Sequence, residues 1–284
     1  MAENKLMNNE LIKTIQSKVD QQRLKDTFCP EGSLLRRQQE RMLEMLLSFD
    51  AICKKHNIPY WLSSGTMLGC IRHGGFIPWD DDLDVEMMRD DYLRFEQVIM
   101  DELPDSMALQ THDTDPNYFF FYPKLRDKRS LLEETNNYDK VFKYRGIYID
   151  IFLLEKNPLW THKLSCNTIG HVYKIMKDPH LNVEAKNNKV ARWYDINNKV
   201  VYPVLRFISR FSSGRLVRHT FGVPYPKPRH VADLFPLDKA LFEGHEFPVP
   251  HDWHNYLHRM FGNYEALPNL EELHPHVGKI EFYD

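Results

Sequence analysis

The stretch Asp80-Asp81-Asp82-Leu83-Asp84-Val85 constrains the fold more than any other part of this 284-residue chain. In an extended strand successive side chains face opposite ways, so Asp82 and Asp84 share one face and Leu83 and Val85 the other. A segment charged on one side and apolar on the other reads as a half-buried strand. Side chains two residues apart leave such a strand about 6.6 Å apart at Cα, so their carboxylates can converge on a divalent ion. Side by side without a countercharge they would repel. Magnesium, which takes few protein carboxylates and completes its shell with water and phosphate oxygens, fits such a pair. The alternative is a solvated acidic turn, against which the alternation with Leu83 and Val85 argues.

What flanks this strand points the same way. Ser33 to His56 carries apolar residues at three- and four-residue steps, with Ser33 as N-cap and Asn57-Ile58-Pro59 as a stop, and predicts a core-packing helix. The short aromatic segment Pro59–Ser63 reads as a strand running into Ser64-Gly65-Thr66, and four of the twelve glycines fall between positions 65 and 75. Small residues ahead of a helix let a phosphate approach the backbone N–H groups at its N-terminus. Downstream, Asp90 to Leu103 predicts a helix, and Tyr118–Tyr122 and Lys124–Arg126 predict short strands. Gly146–Leu153 predicts a central β-branched strand. Asp150 sits in the middle of that apolar run, where a carboxylate is costly unless it is paired or holds a metal. It is the third ligand candidate, with Arg145 as the alternative partner. Arg72 and His73 follow the glycine turn, and Lys124 and Arg126 share a strand face. Together these four are candidates to neutralise a diphosphate. Trp79, beside the acidic strand, is expected to line the site.

Composition sets the broader limits. Hydrophobic residues make up 42% and charged residues 27%, which supports a soluble core and excludes a coiled coil or a disordered chain. A net charge of -3 gives no support to a nucleic-acid partner. No run of apolar residues is long enough to span a bilayer, and the first twenty residues lack a signal-peptide core. Cys29, Cys53, Cys70 and Cys166 form no Cys-x-x-Cys pair and read as reduced packing residues, so a cytoplasmic location is expected. One segment departs from neutrality. Residues 186–229 hold ten basic side chains against Asp195 alone, with Val200, Val201, Val204, Leu205, Ile208 and Phe211 interleaved. Three readings stay open for it: peripheral contact with an inner membrane surface, a basic wall for nucleotide or acidic glycan, and a solvated helix.

A strand, a Gly-Thr turn with its helix, an Asp-x-Asp strand and a later lone-Asp strand resemble the nucleotidyltransferase arrangement. Tyr60-Trp61-Leu62, Ser64–Gly69 and Arg72–Val85 are similar to the signature of the LicD family, which includes fukutin and the fukutin-related protein. Lys124-Leu125-Arg126, Gly146–Phe152 and C-terminal pieces around Phe242-Glu243-Gly244 and Phe261-Gly262-Asn263-Tyr264 extend the resemblance to about residues 33–270. It implies an α/β (α+β) fold, a nucleotidyltransferase-type mixed sheet flanked by helices. Residues 33–158 would form the catalytic core, preceded by a polar helical segment over 1–32. A helical and mixed C-terminal extension over 159–284 would complete the substrate site.

For function, the resemblance implies transfer of a phospho-alcohol such as phosphocholine or a polyol phosphate. The donor would be a CDP-linked alcohol and the acceptor a sugar hydroxyl of a cell-surface glycan precursor, which can be lipid-linked. Asp82 and Asp84 would hold magnesium, or manganese in its place, with Asp150 as third carboxylate and base and Asp80 as an outer ligand. Ser64, Gly65 and Thr66 would touch donor phosphates, and Arg72, His73, Lys124 and Arg126 would balance diphosphate charge. Two rivals remain at this point. One is a nucleotidyltransferase that attaches a nucleoside monophosphate to a sugar or protein. The other is a non-catalytic glycan- or nucleotide-binding module, which would often have lost a metal carboxylate.

Overall fold

A computed structural model of the chain describes residues 2–134, 138–273 and 279–283, with side chains from Glu10 onward. Helices α1 (Ala2–Ser17) and α2 (Gln21–Phe28) lead into α3 (Leu34–Lys55), where Ser33 caps the helix by accepting from the Arg36 N–H. The core follows as β1 (Trp61–Leu62), α4 (Ser64–His73), β2 (Asp84–Met88), α5 (Arg89–Glu102), β3 (Met107–Gln110), β4 (Lys124–Asp127), β5 (Ser130–Leu132) and β6 (Tyr148–Glu155). Helices α6 (Leu159–Lys177) and α7 (Val183–Ile196) come next. A single π turn (Asn197–Val201) joins α7 to α8 (Tyr202–Ser209). The chain then runs through β7 (Leu216–His219), β8 (Arg229–His230), α9 (Val231–Leu234), β9 (Asp238–Phe242), β10 (His245–Val249), α10 (Trp253–Phe261) and β11 (Ile280–Phe282).

The main sheet runs β1-β2-β6-β4-β3, with β7 and β8 continuing from β6. Only β2 and β6 are parallel; the other pairings are antiparallel. The fold is thus of the mixed α/β class that the resemblance implies. Met42, Met45, Leu46 and Phe49 of α3, Phe95 and Ile99 of α5 and the strand residues Val85, Met87, Ile149 and Ile151 fill one core. The face of β2 and β6 opposite Val85 and Ile151 carries Asp84, Glu86, Asp150 and Phe152.

Two local expectations give way. Tyr118–Tyr122 forms no strand. Tyr118 and Phe119 instead sink into a separate aromatic cluster with Phe142, Ile169 and Val172, where burial against α6 replaces ladder bonds. The acidic strand begins only at Asp84, so Asp80 to Leu83 lie outside the ladder. That loop is pinned by α3 instead. The Gln38 side chain donates to the Asp81 carbonyl (2.7 Å), and Gln39 donates to the carbonyls of Ile77 (3.4 Å) and Asp80 (3.0 Å).

Candidate active site

Strand register brings the first charged groups together. Asp84 pairs with Asp150 across the parallel β2–β6 ladder, and Lys124 pairs with Asp150 across the antiparallel β4–β6 ladder. Three adjacent strands therefore present Asp84, Asp150 and Lys124 in one row, and all three are buried. The Lys124 Nζ lies 2.7 Å from Asp150 Oδ1 and 3.3 Å from the Tyr148 ring centre. Asp150 thus already holds a cation of the protein's own. Arg145, the other partner considered, turns away to Asp139 (2.8 Å).

Helix α4 closes the site from the other side. The Ser63 N–H donates to the Asp84 carbonyl, and the Asp84 N–H donates to Thr66 Oγ1 at 2.8 Å. The start of the helix is thereby locked to the start of β2. Ser64 adopts a left-handed backbone (φ 47°), unusual for a non-glycine residue. A Cβ at Gly65 would stand 2.7 Å from Asp80 Oδ2. The Asp80 carboxylate therefore lies directly against the helix start.

Ser64, Gly65, Asp80, Asp82, Asp84 and Asp150 line one cleft of about 540 Å³. Phe152, Tyr225 and Phe261 form its aromatic wall, and His219, Lys227 and Arg229 bring basic groups from the C-terminal half. The carboxylates strain against one another. Burial, then the charge of Asp150, pushes Asp82 up to about 6. Burial and the Asp82 charge hold Asp84 and Asp80 well above the usual carboxylate range. Asp150 is also raised by burial, with Lys124 opposing.

This donor set suits a hard divalent cation: four oxygen-bearing acids around one cleft, with a single lysine in contact as countercharge. Among the described residues, no three His, Cys, Asp or Glu side chains converge closely enough to form a finished metal cluster. Asp82 and Asp84, unpaired with any base, are the pair that would gain most from a cation. Asp150 would join them from beside Lys124.

The other expected phosphate ligands are spent elsewhere. Arg72 is buried and donates to the carbonyls of Tyr264 (3.2 Å) and Ala266 (3.1 Å) and to His73 Nε2 (2.9 Å). It fastens the C-terminal segment to α4 and is absent from the cleft lining. His73 is buried between that guanidinium and Gln21, whose Oε1 is 2.8 Å from Nδ1. Arg126, fully buried, binds Gln110 Oε1, the Gly146 carbonyl and Glu134. Thr66 serves β2 through its hydroxyl. Trp79 packs edge-on to Phe28 and His73 on the far side of α4.

Sequence reasoning missed Glu86, which lies two residues beyond Asp84 on the same face. It is fully buried and accepts from Arg229 (2.6 Å), Trp61 Nε1 (3.0 Å) and the Tyr256 hydroxyl (3.1 Å), with His219 at 3.3 Å. Burial would raise its pKa, but the Arg229 guanidinium brings it down to about 2. This network anchors β8 and α10 beneath the cleft. The one available signal was a Glu continuing the Asp-x-Asp alternation.

A mixed sheet with acids on adjacent parallel strands, an acidic loop and a tight helix start defines a nucleotidyltransferase-type domain. The LicD/FKTN/FKRP nucleotidyltransferase domain matches residues 57–166. The chain is 29% identical to the lipopolysaccharide cholinephosphotransferase LicD of Haemophilus influenzae over 266 residues, 85% of this chain and 95% of that protein. It is 32% identical to the mouse ribitol-5-phosphate transferase FKTN over 98 residues, 30% of this chain and 21% of that one. It is 44% identical to the human ribitol 5-phosphate transferase FKRP over 41 residues, 14% and 8% respectively. Residues 57–166 thus carry the LicD/FKTN/FKRP nucleotidyltransferase domain, and the chain is a LicD-type transferase.

Proposed function

We propose that this transferase moves a phospho-alcohol from a CDP-linked donor to a sugar hydroxyl of a glycan, with a magnesium ion held by Asp82, Asp84 and Asp150. The observation that carries the reading is the pair Asp84–Asp150 on adjacent strands, set in one cleft with Asp80, Asp82 and the helix start at Ser64-Gly65, with Lys124 behind Asp150 as its ion-pair partner. The naming of the relatives for cholinephosphate and ribitol phosphate transfer supports the group moved.

Phosphoryl transfer asks a protein mainly for positioning and charge balance. Bound in the cleft, the cation would neutralise phosphate oxygens that these carboxylates would otherwise repel. The half-buried backbone at Ser64-Gly65 receives a phosphate where the Asp80 carboxylate lies, Gly65 carrying no side chain of its own and Asp80 swinging aside. Asp150, its proton affinity raised by burial, takes the proton of the attacking hydroxyl, and Lys124 fixes its orientation through Oδ1. Lys227 supplies positive charge at the cleft wall, the role that Arg72 and Arg126 do not take. Phe152, Tyr225 and Phe261 offer ring faces to a base or an alkylammonium group.

Incubation with CDP-choline, CDP-ribitol, CDP-glycerol and CTP, with magnesium and a glycan acceptor, tests the proposal. CMP release from one CDP-alcohol is the expected result. Pyrophosphate release from CTP would mean that a nucleotide is attached instead.

A further inference from the structure

The basic segment 186–229 divides in the structure. Arg206 pairs with Glu155 (2.7 Å), Arg229 with Glu86, and Arg218 is buried with its guanidinium on the Asn157 carbonyl (2.8 Å). These three are engaged in holding the fold together. Of the exposed remainder, Lys227 lines the cleft, Arg215 lies in the turn before β7, and the others lie on or next to the helix formed by α7, the π turn and α8. Val200, Val204, Phe207, Ile208 and Phe211 recur at three- and four-residue steps, which places them within one arc of a helix. They are exposed from 40% (Ile208) to 78% (Phe211), and the rings of Phe207 and Phe211 touch at 5.4 Å between centres.

Helix α6 lies antiparallel beside α8, since Thr161 meets Ser209 at one end and Thr168 meets Tyr202 at the other. Its first turns expose Leu159, Trp160 (57%) and Leu164. Apolar side chains of this size seldom stand in water together without a partner.

Charge identifies the partner. No Asp or Glu occurs from Lys156 to Lys177, or from Ile196 to Ala232. The exposed charged side chains around the apolar residues are Lys156, Lys163, Arg210 and Arg215, while Lys199, at the far end of the face, pairs with Asp195 at 2.8 Å. A protein partner of ordinary composition would not ask for a rim so short of acids. An anionic lipid surface does, and it takes exposed Phe and Trp into its headgroup boundary.

We propose that α8 and the start of α6 form a face that docks on anionic membrane, with Phe207, Phe211 and Trp160 entering the interface and the lysines and arginines meeting lipid phosphates. The proposal stands apart from the reaction and does not depend on the donor. No helix among the described residues is long and apolar enough to cross a membrane, so the attachment is one of surface contact.

The test is co-sedimentation of the full chain with phosphatidylglycerol–phosphatidylcholine vesicles and with phosphatidylcholine vesicles alone, at low and high salt. Binding to the anionic vesicles, weakened by salt, is expected. F207S/F211S should lose at least about tenfold in affinity, and R210Q/R215Q should lose binding while keeping the same circular dichroism spectrum. Neither pair lies in the cleft, so CMP release with a soluble acceptor should be unchanged. Equal binding to both vesicle types, or none to either, overturns the proposal. So does a stable dimer in solution that F207S/F211S dissociates, which would assign the face to a second copy.

Discussion

Gly65 and Gly69 lie four residues apart in α4, yet their substitution should fail differently. A Cβ at Gly65 meets only the tip of Asp80, which can swing aside. A Cβ at Gly69 meets the Gly75 carbonyl at 2.5 Å and the Ile77 N–H at 3.0 Å, both backbone. Gly65→Ala should therefore fold with a stability within about 1 kcal/mol of the parent and lose transfer activity. Gly69→Ala should cost about 1–3 kcal/mol through overpacking. Urea unfolding alongside an activity assay separates the two, and equal stability losses would contradict this reading. Asp84 is readable in the sequence because alternation with Val85 fixes its face, whereas Asp82 reaches the same cleft from the loop before β2, which alternation does not describe. Nor are the fates of Arg72 and Arg126 readable there. Spacing says which face a guanidinium leaves from, but the carbonyls that claim Arg72 come from residues about 190 positions away.

Elements show a similar division. Helices α3 and α5 and strand β6 follow from periodicity and local stop signals, because each buries a regular stripe. The Tyr118–Tyr122 segment misleads, since a run of aromatics satisfies a strand pattern and a buried loop equally well. Helix α4 carries a measurable consequence of its packing. Burial, together with the Arg72 charge, lowers His73 from 6.5 to about 3. The folded protein thus keeps His73 neutral where the unfolded chain would protonate it. Between pH 6.5 and 3 the unfolded state binds the extra proton, so stability falls as pH drops through this window. The slope is at most about 1.4 kcal/mol per pH unit from this group. Melting temperatures measured from pH 7.5 to 5 should decline more steeply for the parent than for His73→Gln, and parallel curves would refute the assignment.

Across the whole molecule, the C-terminal half completes the site that the N-terminal half begins. Residues 219–229 supply one wall of the cleft, and Arg229 reaches across 143 positions to Glu86 beneath its floor. No local pattern announces such a contact, which explains why the basic segment looked uniform in sequence. Removing only the cation should strand a buried carboxylate. Arg229→Met is expected to cost about 3–5 kcal/mol, and Glu86→Met/Arg229→Met clearly less. Denaturant unfolding of both variants checks this; a double variant no more stable than the single one would show that the pair is not coupled.

Central to the proposed function is a cation held by the acids of β2 and its preceding loop against donor phosphates. Asp84→Asn keeps shape and removes a charge that burial already disfavours, so the variant should be at least as stable as the parent. Its magnesium-dependent CMP release from the CDP-linked donor should drop by at least about a hundredfold. Full activity in a folded Asp84→Asn protein would contradict the account.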